Sequence, residues 1–200
     1  MNAELFFIYD SHCPWSYAAT PLINAINAAL PEIQLNLWHS ARYEGDESIA
    51  KQTLTAVSDD SNIKFSTLYL ESSTLEKDST ISANLLAWTQ SKSPQLMLPL
   101  LNAIQEKHFQ QGCPLTTEND FTDIITKFKL SPPSKVFNNN KLAKDAEITL
   151  NNIFQLQEVI ETSAIPALLL AVDENLIMLN HNFYLKQPES IVEAIMLELK

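Results

Sequence analysis

Apolar residues recur along the chain with two different periods, and their order predicts a mixed α/β protein. Residues 5–9 form a short apolar run that is typical of a buried strand, and the apolar spacing over 15–30 predicts a helix that Pro31 ends. Apolar and polar residues then alternate over 33–38, which predicts a second strand. The first forty residues therefore indicate a β-α-β unit.

The middle of the chain has a different pattern. Residues 40–60 are polar and predict a loop, while residues 63–70 are compatible with a short strand or an extended segment. Apolar residues at helical spacing predict several helices over 80–128, with Thr117 as a suitable N-cap for the last one. A longer amphipathic helix is predicted over 141–161. Most of this region is therefore expected to be helical.

The C-terminal part returns to sheet-forming patterns. Pro166 precedes an apolar strand over 167–172, a turn leads to a second strand over 176–179, and a helix is predicted over 188–199. The tail is therefore β-β-α. A helical block between two sheet-forming halves is better explained as an insertion than as a second independent domain.

These patterns predict one α/β unit that carries an all-helical insertion. We assign residues 1–62 and 136–200 to the α/β unit and residues 63–135 to the insertion. A hydrophobic content of 46% in 200 residues suits a packed unit of this size. The chain contains only two glycines, which excludes glycine-rich phosphate-binding loops.

The charge of the chain excludes several classes of partner. The formal net charge is -11 and only 13 lysine and arginine residues are present, so neither a nucleic acid nor an anionic membrane surface is expected as a partner. No segment approaches the roughly 18 consecutive apolar residues of a membrane-spanning helix. The first ten residues lack the basic start of a secretory signal, and the sequence therefore favours a cytoplasmic protein.

Two cysteines, Cys13 and Cys113, are the candidate reactive groups. A reducing cytosol disfavours a permanent disulfide between them. No spacing of histidines and cysteines suits a metal ion, so no metal or other bound cofactor is predicted. For Cys113 two interpretations stay open: a thiol that resolves mixed disulfides, or an ordinary thiol in a loop. His39, His108 and His181 are interpreted as structural or surface residues.

Cys13 lies where the first predicted strand leads into the first predicted helix. Unpaired backbone N–H groups and the positive end of the helix dipole favour a thiolate at this place. The pKa of Cys13 is therefore expected below the value of about 8.5 for a free thiol. Pro14 suits the first helical turn, because it gives up an N–H group that would have no partner there.

The segment YDSHCPWSYAATP resembles the active-site segment of the DsbA family of thioredoxin-like proteins, and it is most similar to the cytosolic FrnE-like members with their Cys-Pro-Trp-Cys motif. Residues 103–125 resemble the helical insertion of that group, and residues 163–170 (SAIPALLL) resemble its cis-proline strand. The resemblance spans nearly the whole chain. It implies a thioredoxin-like fold, β-α-β followed by β-β-α, with an all-helical insertion.

What the resemblance implies for the chemistry depends on Ser16. Dithiol members carry a second cysteine at this position, which releases the bound partner, and serine cannot do so. The resemblance therefore implies a monothiol disulfide oxidoreductase in which Cys13 exchanges disulfides with glutathione or a protein thiol. The Ser16 hydroxyl either donates a hydrogen bond to the Cys13 thiolate or caps the first helical turn.

Two alternative functions stay open beside this one. Kappa-class glutathione transferases and 2-hydroxychromene-2-carboxylate isomerases carry a Ser-Pro-x-Ser motif at this place, so a glutathione-dependent transferase or isomerase is the first alternative. A thioredoxin-like module that binds a partner without catalysis is the second. Glutathione is expected as a co-substrate rather than as a bound cofactor, and a homodimer is left open.

The resemblance also implies a set of residues that binds substrate or glutathione. Ile165 and Pro166 would form a cis peptide bond opposite the thiol, with the Ile165 backbone pairing to the substrate; the alternative is a proline that begins an ordinary strand. His12 either tunes the charge near the thiol or is solvated. Trp15 forms an apolar rim for a partner or packs on the insertion. Pro14 completes this predicted set.

Overall fold

The computed structural model describes residues 3–199, and a four-stranded sheet lies at its centre. Strand β1 (Ala3–Tyr9) pairs in parallel with β2 (Gln34–His39) and antiparallel with β5 (Ala167–Val172). Strand β6 (Asn175–Met178) pairs antiparallel with β5, which gives the order β2-β1-β5-β6. The two ends of the chain thus supply one sheet, as the predicted β-α-β and β-β-α halves require.

One face of the sheet is covered by two helices, α1 (Pro14–Ala29) and α8 (Ser190–Glu198). Successive side chains of a strand point to opposite faces, and Leu5 and Phe7 of β1 belong to the large core on this side. Ile191 of α8 is fully buried in the same core. This packing holds the N-terminus of α1 beyond the C-terminal end of the central strand β1, where Cys13 lies.

The other face of the sheet is covered by α7 (Lys144–Val159). Ile8 of β1 and Leu169 of β5 pack there against Ile153 of this helix. Because both faces are covered, the two central strands are apolar along almost their whole length, which explains why β1 has no alternating pattern in the sequence.

Between β2 and α7 the chain forms a small two-stranded sheet and a helical block. In chain order its elements are β3 (Glu44–Glu47), α2 (Lys51–Asp60), α3 (Thr67–Ser72), β4 (Lys77–Asp78), α4 (Thr80–Lys92), α5 (Met97–Phe109) and α6 (Thr122–Phe128). Strands β3 and β4 pair antiparallel. Leu85 of α4 and Leu101 of α5 are buried in the same core as α1. The boundaries 63–135 of the insertion stay a prediction.

Two expectations for this region were wrong. Residues 40–60, expected as a loop, contain β3 and the ten-residue helix α2, whose only buried side chains are Leu54 and Val57. Two buried apolar residues in a mostly polar helix give almost no periodic signal. Residues 63–70, expected as a strand or extended segment, are non-helical only as far as Ser66; α3 begins at Thr67, where the side chain of Ser66 accepts a hydrogen bond from the Tyr69 N–H and caps the helix.

The other predicted elements are confirmed with small shifts at their ends. The helix expected over 141–161 is α7, and the last strands and helix are β5, β6 and α8. Thr117 caps a 3-10 turn, Glu118–Phe121, which leads into α6, and Asp120 completes a capping box with it. No helix within residues 3–199 is both long enough and apolar enough to span a membrane.

Candidate active site

Cys13 is the N-cap residue of α1, with extended backbone geometry, and Pro14 is the first residue of the helix. The Cys13 N–H donates to the Asp10 carbonyl at 3.1 Å, and the Tyr17 N–H donates to the Cys13 carbonyl at 2.9 Å. The residue is only 5% exposed and packs against Tyr43 and other apolar side chains. The predicted position at the strand-to-helix junction is therefore confirmed, in a more buried setting than the sequence indicates.

The expected fall in the pKa of Cys13 is wrong in this structure. Burial raises the pKa of the thiol, because the thiolate loses its solvation, and this effect outweighs the others. Hydrogen bonds from the backbone and the side chain of Ser16 and from the backbone of Trp15 lower the pKa, while the negative charge of Asp10 raises it. The helix N-terminus supplies stabilising N–H groups to a sulfur that water scarcely reaches.

Ser16 is fully buried directly behind the thiol. Its Oγ accepts a hydrogen bond from the Asp10 N–H at 3.2 Å, and its side chain also hydrogen-bonds to Cys13. With the oxygen already accepting from the main chain, the hydroxyl proton remains free to point at the sulfur. This arrangement favours the first of the two roles considered for Ser16, a donor to the Cys13 thiolate.

Cys13 lines a groove of about 570 Å³ between the segment after β2, helix α7 and the segment before β5. The residues that line this Cys13 groove besides the cysteine are Ser40, Arg42, Tyr43, Leu150, Ile153, Phe154, Gln157, Ser163, Ala164 and Ile165. The Ile165–Pro166 peptide bond is cis, and Ile165 forms part of the groove wall. Spaces of this size are typical of sites for small ligands.

A second groove, of about 690 Å³, lies on the other side of the same cis-proline segment. Trp15, Ile165 and Pro166 line it, together with residues that follow β6, among them Phe183, whose side chain is largely exposed. Trp15 is partly buried at its wall and also packs against the main core. The structure thus brings Trp15, Ile165 and Pro166 together, and Ile165 contributes to both grooves.

Behind Cys13 the carboxylate of Asp10 is completely buried and accepts three hydrogen bonds. The donors are the His12 N–H at 2.8 Å, the Arg42 N–H at 2.7 Å and the Ser79 hydroxyl at 2.7 Å. These three donors belong to the loop that carries Cys13, the wall of the Cys13 groove and the start of α4. Asp10 therefore fixes the three segments relative to one another.

His12 does not lie where a substrate could reach it, which corrects its predicted role in binding. It is fully buried, with Nδ1 at 3.0 Å from Ser11 Oγ and Nε2 at 3.1 Å from the carbonyl oxygen of Pro114. Burial lowers its pKa, so the ring is neutral and adds no positive charge near the thiol. The ring packs 4.0 Å from that of His108.

Comparison with solved structures identifies the fold. No protein-family model and no curated protein sequence matches the chain. The structure is similar to the cytosolic disulfide reductase DsbM from Pseudomonas aeruginosa, with a TM-score of 0.84, 16% identity and 98% of each chain covered. The DsbA-type thioredoxin fold is therefore the fold of this chain.

Other structures share this DsbA-type fold. DsbM with GSH gives a TM-score of 0.81 at 16% identity, again over 98% of each chain. A candidate protein disulfide isomerase from Nitrosomonas europaea gives 0.74 at 14% identity, over 99% of this chain and 98% of that one. A probable DsbA oxidoreductase from Streptomyces coelicolor gives 0.64 at 12% identity, over 98% and 89%. The predicted thioredoxin-like fold with a helical insertion is thus confirmed.

Within this DsbA-type fold, Cys113 lies behind the loop that carries Cys13 and does not line the Cys13 groove. Its carbonyl oxygen is 2.9 Å from His108 Nδ1, and the carbonyl of the next residue, Pro114, contacts His12. Both cysteines are free thiols, and burial raises the pKa of Cys113. The side chain of His12 therefore lies between the two cysteine-bearing segments.

The placement of several residues around Cys13 was missed from the sequence. His39 and His108, interpreted as structural or surface residues, are buried structural residues beside the loop that carries Cys13. Arg42 lies in a region expected to be featureless loop, yet it lines the Cys13 groove, and it is the only arginine in the chain. Because arginine occurs only once in the sequence, Arg42 could have been selected as a candidate on that ground. No group of three or more potential metal ligands occurs within residues 3–199.

Proposed function

We propose that the protein is a thiol–disulfide oxidoreductase that reacts through one cysteine, Cys13, and uses glutathione as its co-substrate. The observation that carries the proposal is the Cys13 groove: a thiol at a helix N-terminus lines a space of about 570 Å³ whose opposite wall ends at a cis-proline bond. The likeness to a cytosolic disulfide reductase that has been solved with GSH supports the proposal, and we place the reaction in the cytosol.

The proposed reaction has two exchange steps that balance. The Cys13 thiolate attacks one sulfur of a disulfide; the Cys13–S bond forms, the substrate disulfide breaks, and the electron pair leaves on the departing thiolate. Reduced glutathione then attacks the mixed disulfide at the sulfur bound to Cys13, releasing the Cys13 thiolate and a new disulfide that contains glutathione. One such cycle converts a disulfide RSSR and one glutathione into RSH and the mixed disulfide RS–SG. In a second cycle Cys13 attacks the glutathione sulfur of RS–SG, a second glutathione releases it, and the products are RSH and oxidised glutathione. Two molecules of glutathione therefore supply the two electrons over two cycles.

Ser16 and the segment before β5 have supporting roles in this proposal. The Ser16 hydroxyl donates to the sulfur when it is a thiolate, both in the free protein and when Cys13 is the leaving group. The main chain of Ile165 offers a substrate an extended edge next to the thiol, and Pro166 shapes that edge. Trp15 forms the apolar wall of the second groove, where the rest of a larger substrate would lie.

Mass spectrometry after incubation with oxidised glutathione tests the proposal. We expect one glutathione per chain on the peptide that contains Cys13, removed again by reduced glutathione. The adduct should be absent from Cys13→Ser and retained in Cys113→Ser, which is the matched control because Cys113 does not line the Cys13 groove. The raised pKa of Cys13 predicts that adduct formation accelerates as the pH rises above neutral.

Two results would contradict the proposal. The first is a wild-type chain that gains no glutathione on Cys13 at any pH between about 7 and 10, a window chosen to span the thiol pKa values. The second is glutathione-dependent turnover of an electrophilic substrate that survives Cys13→Ser, which would favour the transferase or isomerase alternative.

A further inference from the structure

Positive charge at the Cys13 groove comes from a single side chain. Arg42 is the only arginine among 200 residues, in a chain with a net charge of -11, and its side chain lines the groove that contains Cys13. None of the other described residues that line this groove carries a formal charge. An acidic chain repels anionic ligands at long range, and Arg42 supplies the one positively charged side chain among the residues described for this groove.

We propose that Arg42 selects disulfides that bear a carboxylate, because its guanidinium binds that carboxylate while the disulfide lies against Cys13. The inference rests on the proposed function and names its substrate class: small anionic disulfides, such as those of glutathione, in preference to neutral ones. Arginine suits this task better than lysine, since its planar fork can bind both oxygens of a carboxylate.

The main chain at Arg42 is held in place by its neighbours. The Arg42 N–H donates to Asp10 Oδ2 at 2.7 Å, the Ala41 N–H donates to His39 Nδ1 at 3.0 Å, and the Ser40 N–H donates to the Tyr9 carbonyl at 2.7 Å. Three consecutive residues are therefore tied to the end of β1, to β2 and to the active-site loop. The base of the arginine side chain has a fixed position relative to Cys13, as a preorganised binding group requires.

Some N–H donors of the Arg42 guanidinium are available for a ligand. Its Nη2 donates to both carboxylate oxygens of Glu47, at 3.0 and 3.1 Å, and the side chain is 56% exposed. A guanidinium carries five N–H donors, and the hydrogen bonds found in residues 3–199 use those of Nη2 alone. The pair with Glu47 orients the planar group on one side and leaves Nε and Nη1 for a ligand.

Second-order rate constants for adduct formation on Cys13, measured by mass spectrometry, test the proposal. The two probes are oxidised glutathione and the same disulfide with its carboxylates esterified. For Arg42→Gln we expect the rate with oxidised glutathione to fall about tenfold and the rate with the ester to stay within about twofold of wild type. Lys135→Gln removes the same unit charge from an exposed site outside the groove and should change neither rate.

The outcomes separate this inference from the function on which it rests. No adduct on wild-type Cys13 with either probe would overturn the oxidoreductase proposal itself. An adduct in wild type, with Arg42→Gln reacting with oxidised glutathione at the wild-type rate, would overturn only the role of Arg42. Equal losses with both probes would also overturn it, because they would show that Arg42 supports the structure and not carboxylate recognition.

Discussion

The two sides of the segment around Cys13 differ in solvent exposure and in the kinds of side chain that form them. On the groove side, Cys13 and Arg42 line a space that solvent or a ligand can enter, next to largely apolar walls. On the rear side, Asp10, His12 and His39 are completely or almost completely buried and hydrogen-bonded. The comparison teaches that, in the proposed reaction, binding and positioning are divided: the groove side would meet the substrate, and the rear side fixes where the thiol lies.

The division also has an electrostatic aspect. The rear side places a buried carboxylate next to the thiol, which opposes thiolate formation, and Ser16 supplies a hydrogen bond that favours it. A sulfur so placed is less ionised at neutral pH than a free thiol, but its thiolate is correspondingly more nucleophilic. Changes on the rear side should therefore alter both stability and the reactivity of Cys13, whereas changes on the groove side should alter reactivity alone.

The largest expected effect is the loss of stability in acid, which the rear side causes. Burial lowers the pKa of His39 from 6.5 to about 4. Below pH 6.5 the unfolded chain therefore binds a proton that the folded chain does not accept until about pH 4. The stability that neutral His39 contributes is fully present above pH 6.5 and is lost as the pH falls towards 4, by about 3 kcal/mol in all.

Urea unfolding at pH 7 and at pH 4 measures this loss. Both ring nitrogens of His39 face main-chain N–H groups, those of Ser11 and Ala41, which a protonated ring would oppose. The His39→Gln variant should show a pH dependence about 3 kcal/mol smaller than wild type, whereas the groove-side variant Gln157→Ala should keep the wild-type dependence. Equal pH dependence in all three proteins would show that the two sides do not differ as described.

Asp10→Asn should have the next largest effect. The carboxylate accepts three hydrogen bonds, and an amide offers one acceptor oxygen while its NH2 group would face a donor. Leaving one buried N–H without a partner should cost about 2 kcal/mol of unfolding free energy. Because the charge of Asp10 raises the pKa of Cys13, its removal should lower that pKa and accelerate alkylation near neutral pH.

An exposed carboxylate provides the matched control for this substitution. Asp123 forms an ion pair with Lys107 at the surface, far from full burial, and Asp123→Asn should change the unfolding free energy by no more than about 0.5 kcal/mol. Its alkylation profile should match that of wild type. If Asp10→Asn were as stable as wild type and alkylated no faster, the carboxylate would neither fix the loop nor act on the thiol.

On the groove side the sequence revealed Cys13 but not Arg42, and on the rear side it revealed still less. Cys13 and Pro14 were predicted from a strand that leads into a helix, and this local pattern is sufficient because both residues belong to one element. The rear side depends on contacts that the sequence does not display. His12 meets Pro114 across 102 positions, and Asp10 meets Ser79 across 69.

The pKa of Cys13 likewise depends partly on contacts that could not be predicted from the sequence. Its position at a helix N-terminus could be predicted, and the stabilising hydrogen bonds are present. The degree of burial could not, because it depends on Tyr43, from a polar segment expected as a loop, and on Tyr69, from a segment expected as a strand or extended chain. Helix α3 was missed because its signal was one serine cap and not an apolar stripe.

Ser16→Ala should have the smallest effect on stability and an effect on reactivity opposite to that of Asp10→Asn. The Asp10 N–H loses its acceptor, which should cost about 1 kcal/mol. Cys13 loses a hydrogen-bond donor, so the pKa of the thiol should rise further and the pH profile of alkylation should move to higher pH. Ser82→Ala is the matched control, because the Ser82 hydroxyl is equally buried and has no hydrogen-bond partner within residues 3–199. If Ser16→Ala lost stability but kept the wild-type pH profile of alkylation, Ser16 would have only a structural role in the first turn of the helix. The rear side would then not affect the reactivity of the Cys13 thiol through Ser16.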